Sequence, residues 1–279
     1  MRRGVLPCAI ALLSAAAAFA IQGHAAKTAG TGAYGAGSLE GDVTVSLLGG
    51  FRGIAAEVIW FRAERLQDTG RFVELAQLAS LLTRLEPHTP EVWSYAAWNL
   101  AYNVSVQMPS FEDRWRWVDA GLRLLRDDGL RLNPSDASLH RELAWMFLAK
   151  IGGTIDDAAA LYSEKWRGIM RDAAEKGDYS AVKMDPAAMR EADAEYGRLD
   201  WTCPEAAAIY WARRGLAAAD GGSRQALRRI VYQALMVMAQ RDGTFAPRAW
   251  AELKSYVGEY PSERGERLVE AFGEHYNLK

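Results

Sequence analysis

The chain has 279 residues, half of them apolar and 24% charged, with a formal net charge of −2. That is ordinary globular composition with room for one large or two modest domains, and the lack of a basic excess argues against a nucleic-acid partner. The two cysteines and four histidines are scattered, which makes neither a disulfide framework nor a metal-ligand spacing; no metal and no other cofactor is expected.

Met1-Arg2-Arg3 precedes an uncharged run over residues 5–21. Two readings stand. Residues 1–21 form a cleaved signal peptide, with a small-x-small site at Ala18-Phe19-Ala20. Alternatively they form an N-terminal hydrophobic helix that remains as a membrane anchor; at ~1.5 Å per residue it spans ~25 Å against a hydrocarbon core of ~30 Å. Both readings keep the arginines on the cytoplasmic side and export the body. The body is then anchored at the inner membrane or secreted to the periplasm. Residues 22–42 are Gly, Ala, Thr and Ser with almost no large apolar side chain. Such a stretch cannot bury enough surface to fold and reads as a flexible tether.

From residue 43 to the C-terminus the pattern is helical, and one all-α domain over residues 43–279 is expected. Phe72, Leu75, Ala76, Ala79 and Leu82 recur at steps of three and four, as do Phe111, Trp115, Val118, Leu122 and Leu125. Ile155, Ala159, Tyr162, Trp166 and Ile169 make a third apolar stripe. Each predicts one buried face of an amphipathic helix. Gly70, Pro87, Pro90, Pro134, Gly152-Gly153, Pro186, Pro204, Gly221-Gly222, Pro247 and Pro261 punctuate the stripes. They predict ten or eleven helices in pairs, with Ser223 as the N-cap of one.

Helix pairs with an internal pattern suggest a solenoid. One unit runs over residues 56–89, with Ile59, the Gly70 turn, Phe72 and a closing Pro87. The next opens at Pro90 with Trp93, Ala97 and Leu100. A third opens at Ala137 with His140, Leu143, Ala144 and Phe147. The pattern, strongest in "LRLNPSDASLHRELAWMFLAK", resembles the tetratricopeptide repeat over residues 51–150 and degenerates towards the C-terminus. The resemblance implies a right-handed solenoid of helical hairpins. "GGFRGIAAEVIWFRAERLQ", "KIGGTIDDAAALY" and "LDWTCPEAAAIYWARRGL" also resemble a family of exported, membrane-anchored bacterial proteins with tetratricopeptide-like helices and no established activity. Ala207 stands where that family often carries His, so a role for that His cannot apply here.

In tetratricopeptide folds the first helix of each pair lines a concave groove. The resemblance places Trp60 and Glu64, Trp98 and Tyr102, and Arg141 and Trp145 on that face. Aromatic anchors beside charges are the composition of a peptide or glycan groove. The competing reading is that these rings pack against neighbouring segments, as Trp93 does on the other side of its helix. Other motifs have structural readings. Glu112, Asp113, Arg114, Arg126, Asp127 and Asp128 read as solvated helix faces. Gly152-Gly153 reads as a helix C-cap, followed by Thr154 or Asp156 as an N-cap. Asp200 and Glu205 flank a helix start, where they serve either as a first-turn acid and its neighbour or as the paired carboxylates of a glycan- or peptidoglycan-acting enzyme. No Gly-x-Ser-x-Gly, His-Glu-x-x-His or Cys/His arrangement accompanies them. A non-enzymatic scaffold at the cell envelope, binding a protein or peptide partner, is the expected function; the carboxylate enzyme is the alternative.

Overall fold

A computed structural model describes residues 39–153 and 156–278. The expected signal peptide or anchor, the tether up to residue 38, and Thr154 and Ile155 lie outside them. All regular structure among the described residues is helical. The eleven longest helices are α1 (Leu39–Asp68), α2 (Phe72–Leu85), α3 (Pro90–Trp98), α4 (Phe111–Arg123), α5 (Ala137–Trp145), α6 (Ala159–Lys176), α7 (Pro186–Tyr196), α8 (Pro204–Leu216), α9 (Gly221–Arg241), α10 (Ala246–Glu259) and α11 (Glu263–His275). No helix among the described residues is long and apolar enough to cross a membrane.

The chain clusters into two compact units that divide at Thr69 and Gly70. The division falls inside the first expected repeat, at a turn where Gly70 takes a left-handed φ of 70° that Gly adopts without Cβ strain. The first unit contributes α1, which begins at Leu39 rather than at Val43. All the other helices belong to the second unit.

Within the second unit the three apolar stripes are buried as their period requires. Leu75, Ala79 and Leu82 are buried on α2, and Trp115, Val118, Leu122 and Leu125 on α4 and its continuation. Tyr162 and Trp166 are buried on α6. Phe72, Ala76 and Ile169 are half-buried, and Phe111 is exposed, with the Arg114 guanidinium over its ring. Trp93 is buried, and its indole N–H donates to the Pro87 carbonyl at 2.9 Å; Asn133 donates to the same oxygen at 3.0 Å. The loop before α3 is thereby tied to the end of α4's continuation. Gly121 lets α4 press on α3, since a Cβ there would lie 2.7 Å from the Ala97 carbonyl oxygen.

Three helices do not end where their α-geometry ends. Each runs on into a π-turn: α3 into Asn99–Val104, α4 into Leu124–Gly129, and α5 into Met146–Ile151. In a π-turn the N–H reaches back five residues instead of four, which leaves a carbonyl unclaimed. At the end of the first, the Ser105 N–H bonds to the Leu100 carbonyl and the Ser105 hydroxyl donates to the Ala101 carbonyl at 2.6 Å. At the end of the third, Gly152 N–H bonds to the Phe147 carbonyl at 2.9 Å.

The centre of the second unit is α8. Every residue from Pro204 to Ala212 is buried, as expected of a helix apolar nearly all round. Its alanines and Gly215 admit close neighbours: a Cβ at Gly215 would lie 2.7 Å from the His140 Cβ and 3.0 Å from Leu227. α5 and α9 thus pack on α8 at short range. Glu205, in the first turn, is 0% exposed and accepts from both Arg241 nitrogens, Nη1 and Nη2, at 2.8 Å each. Gly152 belongs to this arrangement. It stands at the C-cap of the α5 π-turn, as the glycine pair led one to expect, with a φ of −88° rather than a left-handed value. It is small because a Cβ would sit 2.9 Å from Glu205 Oε1.

Three further expectations change. Ser223 lies inside the first turn of α9, whose N-cap position is Asp220 without a side-chain cap bond. Arg126 is buried rather than solvated and is bonded by both its Nε and Nη2 to the neighbouring Asp127. Arg114 is largely covered and bonds to Asp157, ahead of α6. In both cases the long aliphatic stem packs while the head finds a carboxylate.

His140 is 5% exposed and stacks on Trp211. Its Nε2 lies 3.1 Å from the Pro134 carbonyl, so the neutral ring donates there and leaves Nδ1 without a partner among the described residues. Burial, reinforced by Arg214, lowers its pKa; the Pro134 bond and Asp136 oppose the shift. The unfolded chain therefore binds a proton that the folded chain refuses. The stability so contributed is complete above about pH 6.5 and is lost as pH falls through the lower folded value.

Removing Arg241 leaves a charge with no solvent around it, so Arg241→Ala is expected to cost about 3 kcal/mol or more in chemical denaturation. Glu205→Gln should cost only about 1 kcal/mol, because the Arg241 side chain is 49% exposed and water can replace its partner. Equal losses would contradict a buried carboxylate that depends on its arginine. For His140, the melting temperature should fall between pH 7 and pH 5 in the native chain and fall less in His140→Gln, which keeps a donor towards Pro134.

Candidate functional site

Of the six side chains expected on one face, Trp60 is half-buried and Glu64 exposed on α1, in the first unit. The other four belong to the second unit. Trp98 is 42% exposed and Trp145 40% exposed. They occupy corresponding places: each is the last α-helical residue before a π-turn, Trp98 on α3 and Trp145 on α5. The extra residue in each π-turn rotates the C-terminal stretch of the helix relative to the N-terminal one, while the ring itself stays at the surface.

Trp98 stacks on Tyr102, with ring centroids 5.2 Å apart and planes inclined by 20°. Lys150, on the π-turn after α5, places its ammonium 5.1 Å from the Tyr102 centroid and 5.8 Å from that of Tyr162. Lys150 is buried and donates to Asp156. Asp156 also accepts from the Ala158 N–H at 2.9 Å and from the Tyr162 hydroxyl at 3.3 Å. Burial works against its ionised carboxyl, but the bonds from Lys150 and Ala158 outweigh that and hold its pKa below the usual carboxylate value. The cation between two tyrosine rings thus has its counter-ion in place. Asp156 is not the N-cap expected from the sequence: that position of α6 is Ala158, without a side-chain cap bond, and Asp156 bonds instead to the Ala158 N–H and to Lys150. Burial, with Glu142 nearby, pushes the Tyr102 pKa up, and its hydroxyl has no partner among the described residues. Arg141 bonds to Glu142 at 2.7 Å. Trp98, Tyr102, Glu142 and Arg141 therefore form one neighbourhood, in which the charge of Arg141 is already balanced.

Trp145 opens on a different feature. It lines a cleft of about 840 Å³ between α5 with its π-turn, α9, α10 and α11. Ala149, Gly152 and Gly153 line it from the same element. The opposite wall is one face of α9, with Arg229, Gln233, Val237, Gln240 and Arg241. Tyr232 and Tyr256 pack at 4.9 Å, and both line the cleft. The Tyr256 hydroxyl accepts from Arg229 at 3.1 Å. Burial and Tyr256 push the Tyr232 pKa up, with Arg229 and Arg264 pulling against them. Both guanidinium groups therefore act on the same ring. No lining residue is a carboxylic acid.

The two carboxylates of the enzyme alternative serve other ends. Glu205 is fully buried with both oxygens bonded to Arg241. Asp200 accepts from the Thr202 N–H and hydroxyl and from the Cys203 thiol. Burial, together with Asp200, pushes the pKa of that thiol up to about 11, so it is protonated near neutral pH and a weak nucleophile. Among the described residues no cluster of three or more His, Cys, Asp or Glu side chains could hold a metal ion.

Comparison of the chain with protein-family models, curated proteins and solved structures finds no match. The α9 wall of the cleft was not expected from the sequence. Its signal was present in "RRIVYQALMVMAQR", where Arg229, Gln233 and Gln240 fall on one stripe of an otherwise apolar helix.

The exposure of Trp98 sets its expected mutational cost. Trp98→Ala should lower stability by about 1 kcal/mol, the loss of a half-covered ring and its stack. Trp166→Ala, at a ring 2% exposed and packed edge-on against Phe147, should cost about 3–5 kcal/mol. Thermal and urea melts of the two variants measure both; a Trp98 loss as large as that of Trp166 would make Trp98 a packing residue only.

Proposed function

We propose that this protein is a non-enzymatic scaffold of the cell envelope, whose helical hairpins form a tetratricopeptide-like solenoid that docks a protein partner. The observation that carries the reading is the pair of exposed tryptophans, Trp98 and Trp145, at equivalent points before their π-turns. Large aromatic rings at the surface cost solubility and contribute most to binding when a partner covers them. Tyr102, Arg141 and Glu142 supply a polar border around Trp98, and the cleft arginines supply one around Trp145. A tie to the membrane or export to the periplasm rests on residues 1–21 and their basic start. The enzyme alternative has less support, because its carboxylates are engaged in structural bonds rather than directed together into the cleft.

A photo-crosslinking amino acid at position 98 or 145, in the full chain expressed in its own cells, tests the proposal. Both positions should give a discrete higher-mass adduct containing the same partner, and a control at the exposed Glu175 on α6 should not. Identical adducts from the control, or none from the two tryptophan positions, would count against docking.

A further inference from the structure

We infer that the cleft beside Trp145 takes an extended acidic peptide segment, about five residues long, from the partner. The inference rests on the docking reading above and adds the chemistry of what is docked.

Charge sets the preference for an acidic segment. Arg229 and Arg264 line the cleft, and neither has a carboxylate partner among the described residues. The third arginine, Arg241, is balanced by Glu205 yet keeps 49% of its side chain exposed. The chain as a whole is slightly acidic, with 35 acidic residues against 33 basic ones. The cleft is therefore a local positive field on a negative molecule, which draws acidic segments and repels basic ones.

Shape and hydrogen bonding suit an extended main chain. On α9 the cleft face runs from Arg229 through Gln233 and Val237 to Gln240. At ~1.5 Å per residue that face is ~17 Å long. An extended chain advances ~3.3 Å per residue, so about five residues lie along it. Each glutamine amide offers donors and an acceptor, the complement of a peptide group, and can pair with main chain whatever its side chains. Val237 and Met236 between them, with Tyr232 and Trp145, give apolar contact for the alternate side chains.

The arginine nearest the tyrosines is held in place beforehand. Tyr256 accepts from Arg229 Nε at 3.3 Å and Nη2 at 3.1 Å, which reduces the ordering cost on binding. A compact anion at the start of α11 is less well served. The Ser262 hydroxyl already accepts from the Gly265 N–H at 3.1 Å, so that helix terminus has spent a donor that an inorganic anion would use.

The test uses the purified full chain and two fluorescein-labelled hexapeptides, one of glutamate and one of glutamine, in polarisation titrations. The glutamate peptide should bind at least ~10-fold tighter than the glutamine peptide at low salt and weaken as salt is raised. Arg229→Gln and Arg264→Gln should each cost ~5-fold or more. Arg171→Gln, exposed on α6, should change nothing, and circular dichroism confirms that all three variants fold. Equal binding of the two peptides would overturn the acidic preference and leave a peptide groove. Glutamate binding untouched by Arg229→Gln and Arg264→Gln would place the site elsewhere. Displacement by an equal concentration of inorganic phosphate would reassign the cleft to compact anions. If neither peptide binds while a crosslinker at position 145 still captures its partner, this inference fails and the docking reading survives.

Discussion

Glu205 stands at the start of the most deeply buried helix, and Arg241 reaches it from the last turn of α9 through two parallel hydrogen bonds. A carboxylate without water needs that partner, because the desolvation of an unpaired charge costs more than a single helix packing can return. The pair therefore sets where the C-terminal end of α9 lies against α8. It also reserves space, since Gly152 at the end of the α5 π-turn is the residue whose Cβ would collide with the carboxylate. Three elements, α5, α8 and α9, meet at this one charge. The cleft beside Trp145 is bounded by two of them, and Arg241 contributes to the cleft wall the face of its guanidinium that Glu205 does not use.

The π-turns act on the same geometry from the other side. An α-helix through residues 137–151 would carry Lys150 and Ile151 about a third of a turn away from where the π-turn puts them. With the extra residue, Lys150 points between Tyr102 and Tyr162 and meets Asp156. The first π-turn places Ala101 and Val104 in the interior and leaves Trp98 outside with Tyr102 stacked against it. At the end of that turn the Ser105 hydroxyl donates to the Ala101 carbonyl. Two exposed rings and one buried cation thus share a cause in backbone geometry.

Arginines carry much of the tertiary wiring. Arg114 joins α4 to the loop before α6, Arg213 joins α8 to α7 through Glu195, and Arg228 joins α9 to α10 through Glu259. Each fork matches a carboxylate on another element, which Lys would do less well. Against that background Arg229 and Arg264 differ: neither pairs with a carboxylate among the described residues, and Arg229 bonds to Tyr256 instead.

What the sequence determined by itself is the helical class and much of the core. Period and punctuation suffice for that: Leu75, Val118 and Tyr162 recur at helical steps, and Pro90, Pro186 and Pro204 stand in first turns. Burial of Trp93 was also legible, since it shares the inner face of α3 with Ala97. The tertiary structure alone decided the rest. The π-turns have no periodic signature, because the single added residue falls at the end of a short helix, where too few positions follow to show the shifted stripe. Gly152 was legible as a helix cap, but the carboxylate from α8, more than fifty residues later, for which its missing side chain makes room was not. Arg126 and Arg114 looked solvated, since a charge pattern does not show which carboxylate comes within reach. The cleft was invisible for the same reason. Trp145, Arg229, Tyr256 and Arg264 come from four helices, and their convergence is a property of packing angles that no local run of residues encodes.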